Sequence, residues 1–299
     1  MEIGRFAPSP SGRMHLGNVF SALLAWLSVR SAGGRMVLRI EDLDPDRCRP
    51  EYAVQLKRDL EWLGLFWDEE QTPQSQRTAA YAEAFAKLDA YPCYCSRSEL
   101  HAASAPHAAD GTFVYAGTCR NLTEAERAAK TRRPAWRVRV PDEEISFLDG
   151  LQGEVRENLA RACGDFILRR SDGVYAYQLA VVVDDAAAGV TQVVRGYDLL
   201  SSTPRQLWLQ TQLGLPHPQY YHVPLLCAPD GRRLSKRERD LDLGALREVM
   251  TAEALLGRLA HLAGLLDRPE PVTAAELSAW FDWNRVFTKN ISINSVSFH

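Results

Sequence analysis

IGRFAPSPSGRMHLGNVFSALLAWLSVRSAGGRMVLRI, Ile3 to Ile40, decides how this chain is built. Ile3 to Ala7 reads as a short strand. From Leu16 the apolar residues Val19, Phe20, Leu23, Leu24 and Leu27 recur at helical spacing, and Gly33-Gly34 closes that helix. Met36, Val37, Leu38 and Ile40 then read as a buried strand. Strand, helix and strand in this order make a βαβ unit, which requires a parallel sheet and a right-handed crossover. The turn carrying Pro8, Pro10, Gly12 and Gly17 therefore lies at the carboxyl end of the first strand, where open α/β sheets bind ligands. Proline stiffens that turn and glycine lets backbone N–H groups approach a ligand closely. The following helix aims its positive end at the same spot, which suits a nucleotide phosphate. His15, at the helix start, is placed to donate to a phosphate oxygen.

Outward from this unit, helices are expected over Glu51 to Leu63 and Arg77 to Leu88. A different texture begins near Tyr91, with an Ala/His-rich stretch from Ala102 to Asp110. Arg137 to Val140 alternates like a half-exposed strand, and Ile145 to Leu148 reads as another. Residues 91–160 are read as an insertion between residues 1–90 and 161–240, the two halves of the sheet domain. The sheet is expected to resume with Phe166 to Leu168, a Ser171-Asp172-Gly173 turn and Tyr177 to Val183. Val190 to Val194 reads as a further strand, and Ser202-Thr203-Pro204 as a helix start. Residues 241–299 read as helical, with a frayed tail from Val286 that is rich in Ser, Asn and Phe.

Composition narrows the function. The chain has 299 residues, 46% hydrophobic and 24% charged, with a formal net charge of -3. That balance argues against a purely electrostatic nucleic-acid binder but permits a local basic patch. No apolar run approaches a membrane span, and no signal-peptide pattern opens the chain, so a cytoplasmic protein is expected. Six cysteines in this length do not make a disulfide scaffold. Cys93-x-Cys95 with Cys119 supplies three thiolates to a metal, and zinc wants a fourth ligand, for which His101, His107 and Tyr115 are the candidates. Cys48, Cys163 and Cys227 are isolated and read as structural.

A second phosphate-directed stretch is DGRRLSKRERD, Asp230 to Asp240, with four Arg/Lys between Arg232 and Arg237. HLGN (His15 to Asn18) and RLSKR (Arg233 to Arg237) resemble the HIGH and KMSKS signatures of class I aminoacyl-tRNA synthetases. RFAPSPSG (Arg5 to Gly12), RIEDLD (Arg39 to Asp44), AYQLAVVVDD (Ala176 to Asp185) and VVRGYDLLSSTPRQ (Val193 to Gln206) resemble the glutamyl branch of that class. With only residues 241–299 after the basic loop, and the cysteine pattern, the chain is similar to the truncated glutamyl-queuosine paralogues, which lack the anticodon-binding domain. The match is not exact: among the departures, Asn18 stands at the last HIGH position and Leu234 at the second KMSKS position.

This resemblance implies an α/β fold: a Rossmann-like parallel sheet, a zinc-containing insertion and a C-terminal helical region. It implies ATP-dependent activation of L-glutamate, with Mg2+, and transfer to the queuosine base of tRNA(Asp). Arg5, Ala7, Ser9, Glu41, Tyr177 and Arg195 would bind glutamate. His15, Gly17, Asn18 and Lys236 would bind ATP, with His15 and Lys236 catalytic. YAGTC (Tyr115 to Cys119) points to Tyr115 as the fourth ligand of a structural Zn2+ beside Cys93, Cys95 and Cys119. Arg132, Arg133, Arg137 and Arg139 become candidate tRNA phosphate contacts. A monomer is expected. Three alternatives share these motifs: a compact discriminating glutamyl-tRNA synthetase charging a 3′ end, an inactive zinc-containing RNA-binding paralogue, and a small-molecule adenylylating enzyme.

Overall fold

The computed structural model describes residues 1–96, 98–100, 114–232 and 242–293. β1 (Ile3–Phe6) and β2 (Arg35–Leu38) pair in parallel, with Arg5 opposite Val37. The helix Leu16–Ser31 crosses between them and is buried on nearly every side, as its apolar run from Leu23 to Leu27 requires. β3 (Glu69–Glu70) adds a short parallel edge to β2. The helices Pro50–Trp62 and Thr78–Ala86 match the expected pair.

An antiparallel sheet follows: β4 (Ala90–Cys93), β5 (Ala135–Val138) and, after the hairpin β6 (Glu144–Asp149) and β7 (Gly153–Asn158), β8 (Ile167–Arg169). Its order is β4-β5-β8. β9 (Gln192–Gly196) and β10 (Gln219–Val223) then pair in parallel. β9 lies beside β1, where Thr191 N–H donates to Ile3 O at 2.9 Å. Further along the two strands, Arg5 Nη1 donates to Val194 O at 3.4 Å.

Three expectations are corrected. Phe166 to Leu168 does not resume the parallel sheet; β8 pairs antiparallel with β5, Arg137 facing Ile167. A short apolar run carries no information about which sheet it joins. Tyr177 to Val183 is not a strand but the start of the helix Tyr177–Ala187. Its three consecutive valines favour a strand locally. Burial of Leu179 to Val182 beside the helices Thr78–Ala86 and Thr203–Leu213 overrides that preference. The tail from Val286 is not frayed as far as Ile293. Val286 and Ile293 are buried in the main core, and β12 (Ile291–Ser292) pairs in parallel with β11 (Leu226–Cys227). Residues 294–299 lie outside the described residues.

The C-terminal helices Leu243–Val249, Ala252–Ala263 and Ala274–Ser278 form as expected. The segment that follows them docks on the first helix and β10. Trp283 stacks on Tyr221 at 4.4 Å and donates its indole N–H to Ser28 Oγ at 3.0 Å. Among the described residues, no helix is long and apolar enough to cross a membrane.

Candidate active site

A cavity of about 210 Å³ opens where β1, β9 and the first helix converge. Arg5 and Ala7 reach it from β1 and the residues after it. His15, Gly17 and Asn18 reach it from the helix start, Glu41 from the segment after β2, and Tyr177 and Arg195 from the second half of the chain. His15 is the N-cap of the helix Leu16–Ser31, its carbonyl accepting from Asn18 and Val19 N–H. A Cβ on Gly17 would lie 3.2 Å from the His15 ring, so glycine leaves that ring its place. Leu243 N–H donates to Met14 O at 3.0 Å, and Asp242 bridges to His15. The first described residues after the RLSKR stretch are therefore pinned beside the HLGN turn.

Behind Arg5 and Glu41 of the cavity wall lies a buried charge network. Arg39, 1% exposed, donates to Glu41 Oε1 at 2.9 Å and lies 2.7 Å from Asp185 Oδ1. Arg5 Nε lies 3.5 Å from Asp185 Oδ2. Asp184, next along the same helix, accepts from Gln74, Arg77 and Tyr81. Burial alone would raise the Asp185 carboxyl, yet Arg39 and Arg5 hold it below the ordinary carboxylate value. For Glu41 burial prevails: its pKa is raised despite Arg39. An arriving ammonium group would favour the ionised form of Glu41.

Arg195 is buried and held on every nitrogen. Its Nε donates to His222 Nε2 at 3.0 Å, Nη1 to Gln206 Oε1 at 2.8 Å, and Nη2 to Thr203 Oγ1 at 2.7 Å. Weaker bonds of 3.4 Å run from Nη1 to Tyr177 Oη and from Nη2 to Leu199 O, both at the cavity wall. These two are the bonds a bidentate carboxylate would replace.

Ser9 is not on this wall; it is exposed and lines a neighbouring depression that shares Glu41 and Tyr177. Lys236 lies outside the described residues. Thr203 and Gln206 fall inside VVRGYDLLSSTPRQ, and residue type alone does not mark them as partners of Arg195. Asp149 and His222 carried no signal: 73 positions separate them, and their roles exist only after folding.

A second constellation sits in the antiparallel region. The sulfur atoms of Cys93, Cys95 and Cys119 lie within 4.8 Å of one another. Cys95 and Cys119 Sγ are 3.6 Å apart, close to the edge of a tetrahedral ZnS site with bonds of about 2.3 Å. Cys93 Sγ lies 3.5 Å from Tyr115 Oη, and Arg137 Nε donates to Cys93 Sγ at 3.3 Å. Burial would raise the Cys93 thiol, but Tyr115, the Cys95 amide and Arg137 bring it below the ordinary value. Burial and the neighbouring sulfurs push Cys95 up to about 12. Gly164, at φ 65°, lies against the Tyr115 backbone, where a Cβ would come within 2.3 Å of Tyr115 O. His101 and His107 lie outside the described residues. Arg137 is corrected as a phosphate contact: it is buried, stacked 3.8 Å over the Tyr115 ring and bound to Asp165 O. Arg132 and Arg133 are exposed, while Arg139 pairs with Asp89. None of the six cysteines is in a disulfide.

The profile of tRNA synthetases class I (E and Q), catalytic domain, matches residues 3–296. A glutamyl-Q tRNA(Asp) synthetase of Symbiobacterium thermophilum is 51% identical, over 96% of this chain and 94% of that protein. One from Nitratidesulfovibrio vulgaris is 53% identical over 88% of this chain and 86% of its own. Among solved structures, a glutamate tRNA ligase of Elizabethkingia meningosepticum, in complex with its amino acid, superposes with a TM-score of 0.83 at 28% identity. It covers 99% of this chain and 68% of that one. A putative arginyl-tRNA synthetase of Campylobacter jejuni, 12% identical with a TM-score of 0.53, shares the fold. The chain belongs to the class I tRNA synthetases of the E and Q type, among the glutamyl-Q tRNA(Asp) synthetases.

Proposed function

We propose that this protein activates L-glutamate with ATP and transfers the glutamyl group to the queuosine base of tRNA(Asp). The observation that carries the reading is a single cavity holding two buried guanidinium groups, a carboxylate and a helix N-terminus. A ligand with two carboxylates and one ammonium matches the first three, and a nucleotide phosphate matches the fourth. Arg195 takes the side-chain carboxylate in bidentate fashion, with Tyr177 beside it. Glu41 takes the ammonium, and Arg5, with Ala7 and Ser9, completes the amino-acid site.

In the first step an oxygen of the glutamate α-carboxylate attacks the α-phosphorus of ATP. The bond from that phosphorus to the bridging oxygen breaks and pyrophosphate leaves with the electron pair. His15, Gly17 and Asn18 at the N-terminus of the first helix hold the phosphates, and Lys236 neutralises the leaving group, with Mg2+ accompanying ATP. Asp242, six residues beyond Lys236 in the sequence, bridges to His15. Most of the acceleration then comes from positioning and charge neutralisation. In the second step the acceptor nucleophile on the queuosine base attacks the mixed-anhydride carbonyl and AMP leaves.

Cys93, Cys95, Cys119 and Tyr115 would hold a structural Zn2+. Their donor chemistry fits it, and a bound ion would close the loops of the insertion without entering the reaction. We assign residues 1–90 and 161–240 to the catalytic domain, 91–160 to the insertion and 241–299 to the C-terminal helical region. Arg132 and Arg133 are the exposed candidates for phosphate contact. The protein is taken as a cytoplasmic monomer. The test is transfer of radiolabelled glutamate to tRNA(Asp) with and without queuosine. Labelling only of the queuosine-bearing tRNA, resistant to removal of its 3′ end, supports the reading. Labelling of the 3′ end contradicts it.

A further inference from the structure

Behind Arg195 lies a chain of two residues that none of the proposed substrate contacts includes. His222 is 0% exposed and Asp149 2%. Asp149 belongs to the hairpin β6–β7, which docks on the edge of β10: Gly150 N–H donates to Tyr220 O at 2.8 Å, and Gln152 Nε2 to His222 O at 2.7 Å. The carboxylate faces His222 Nδ1 through Oδ2 at 2.6 Å. Its other oxygen accepts three backbone N–H groups, of Leu151 at 3.0 Å, Gln152 at 2.9 Å and His222 at 3.2 Å.

The protons follow from these contacts. Arg195 Nε is always a donor, so His222 Nε2, at 3.0 Å from it, must be the acceptor. The ring proton then sits on Nδ1, where the Asp149 carboxylate accepts it. Both ends of the imidazole select the same tautomer. Thr203 Oγ1 lies 3.1 Å from His222 Nε2 and 2.7 Å from Arg195 Nη2, which ties the same two groups again.

We propose that Asp149 and His222 are positioning residues that orient the Arg195 guanidinium toward the substrate carboxylate by fixing the His222 tautomer. This rests on the reading of Arg195 as the side-chain contact for glutamate. With Nε committed to His222, the guanidinium plane is fixed, and the edge carrying the two 3.4 Å bonds faces the cavity. The hairpin thereby governs amino-acid affinity without touching the amino acid.

Asp149→Asn tests this with almost no change of shape. Its single carbonyl oxygen is needed by the three backbone N–H groups, so its NH2 group faces Nδ1. The ring proton must then move to Nε2, where it opposes Arg195 Nε–H. In glutamate-dependent ATP–pyrophosphate exchange by the full chain, Asp149→Asn should raise the KM for glutamate about tenfold or more, the scale of a hydrogen bond to a charged group. The KM for ATP should stay within about twofold. His222→Gln, which can set an amide oxygen near the Nε2 position, should show a smaller rise than His222→Leu. Nitrogen-15 NMR of histidine-labelled wild-type protein should show Nδ1–H and a bare Nε2, and this holds whether or not a variant folds. An Nε2–H tautomer in the wild type overturns the proposal, as does a parallel rise of both KM values. Arg195→Gln in the same assay separates the two claims. If it raises the glutamate KM while Asp149→Asn does not, the relay fails alone. If neither raises it, Arg195 is not the substrate contact and both fail.

Discussion

The proposed amino-acid cavity and the cysteine cluster are both buried polar constellations drawn from distant stretches of chain, but their charges are balanced differently. In the cavity each cation already faces protein acceptors: Arg39 faces Glu41 and Asp185, and Arg195 faces His222, Gln206 and Thr203. Such a site keeps its shape without ligand. In the cluster three sulfurs crowd within 4.8 Å, with one guanidinium and one phenol beside them. Burial first, and then its neighbours, push the Cys95 thiol up to about 12. A metal ion would convert these thiols to thiolates and supply the charge the protein lacks. One region is finished by folding; the other would be finished by an ion.

The largest effect should come from breaking the self-sufficiency of the cavity. Asp185→Asn leaves Arg39 and Arg5 buried with their shared counter-charge removed. The expected loss is about 3–5 kcal/mol of stability, read by urea denaturation. A loss under about 1 kcal/mol would mean that water, not Asp185, satisfies those guanidiniums.

Removing metal from the cluster should cost less and cost it elsewhere. Chelation should lower Tm by about 5 °C, the scale of ~2 kcal/mol in a chain of this size. Glutamate activation at lower temperature should survive. Purified protein that folds without stoichiometric zinc, and whose Tm ignores the chelator, removes the contrast altogether.

The two regions also differed in how far they could be read from sequence. The βαβ unit was legible because its pattern is local: an apolar helix between two short strands, punctuated by glycine and proline. Arg5, His15, Glu41, Tyr177 and Arg195 were legible because they sit in contiguous motifs, and they do line one cavity. The Cys93, Cys95 and Cys119 grouping was legible from residue type and spacing. What supports those residues was not. Asp149 and His222 look like any acid in a turn and any histidine in a strand until β6 and β10 are side by side. The helix Tyr177–Ala187 looks like a strand in the sequence because three valines argue for one, while the partners that bury them lie elsewhere in the chain. The docking of Ile291–Ser292 on Leu226–Cys227 is likewise a tertiary fact.

Within the cavity, Arg195→Ala should raise the KM for glutamate by about tenfold to a hundredfold, since it removes a charged bidentate contact. An unchanged value would break the claim that the cavity reads the side chain. The smallest effect concerns pH. Burial first, and Arg195 second, lower the His222 pKa below its ordinary 6.5, against the pull of Asp149. The unfolded chain therefore binds the extra proton. The stability tied to neutral His222 is complete above about pH 6.5 and is lost as pH falls toward the lower folded value. His222→Gln should flatten this acid limb in thermal melts; a limb as steep as the wild type's would place the titration in another group.

The central claim is an amino-acid-activating cavity already complete in the protein alone. Glutamate-dependent exchange of pyrophosphate into ATP, measured with purified protein and no tRNA, tests it most directly. The account predicts exchange with glutamate and not with glutamine or aspartate, at a rate that added tRNA leaves unchanged. Exchange that appears only when tRNA(Glu) is added, or that is absent under either condition, would contradict it.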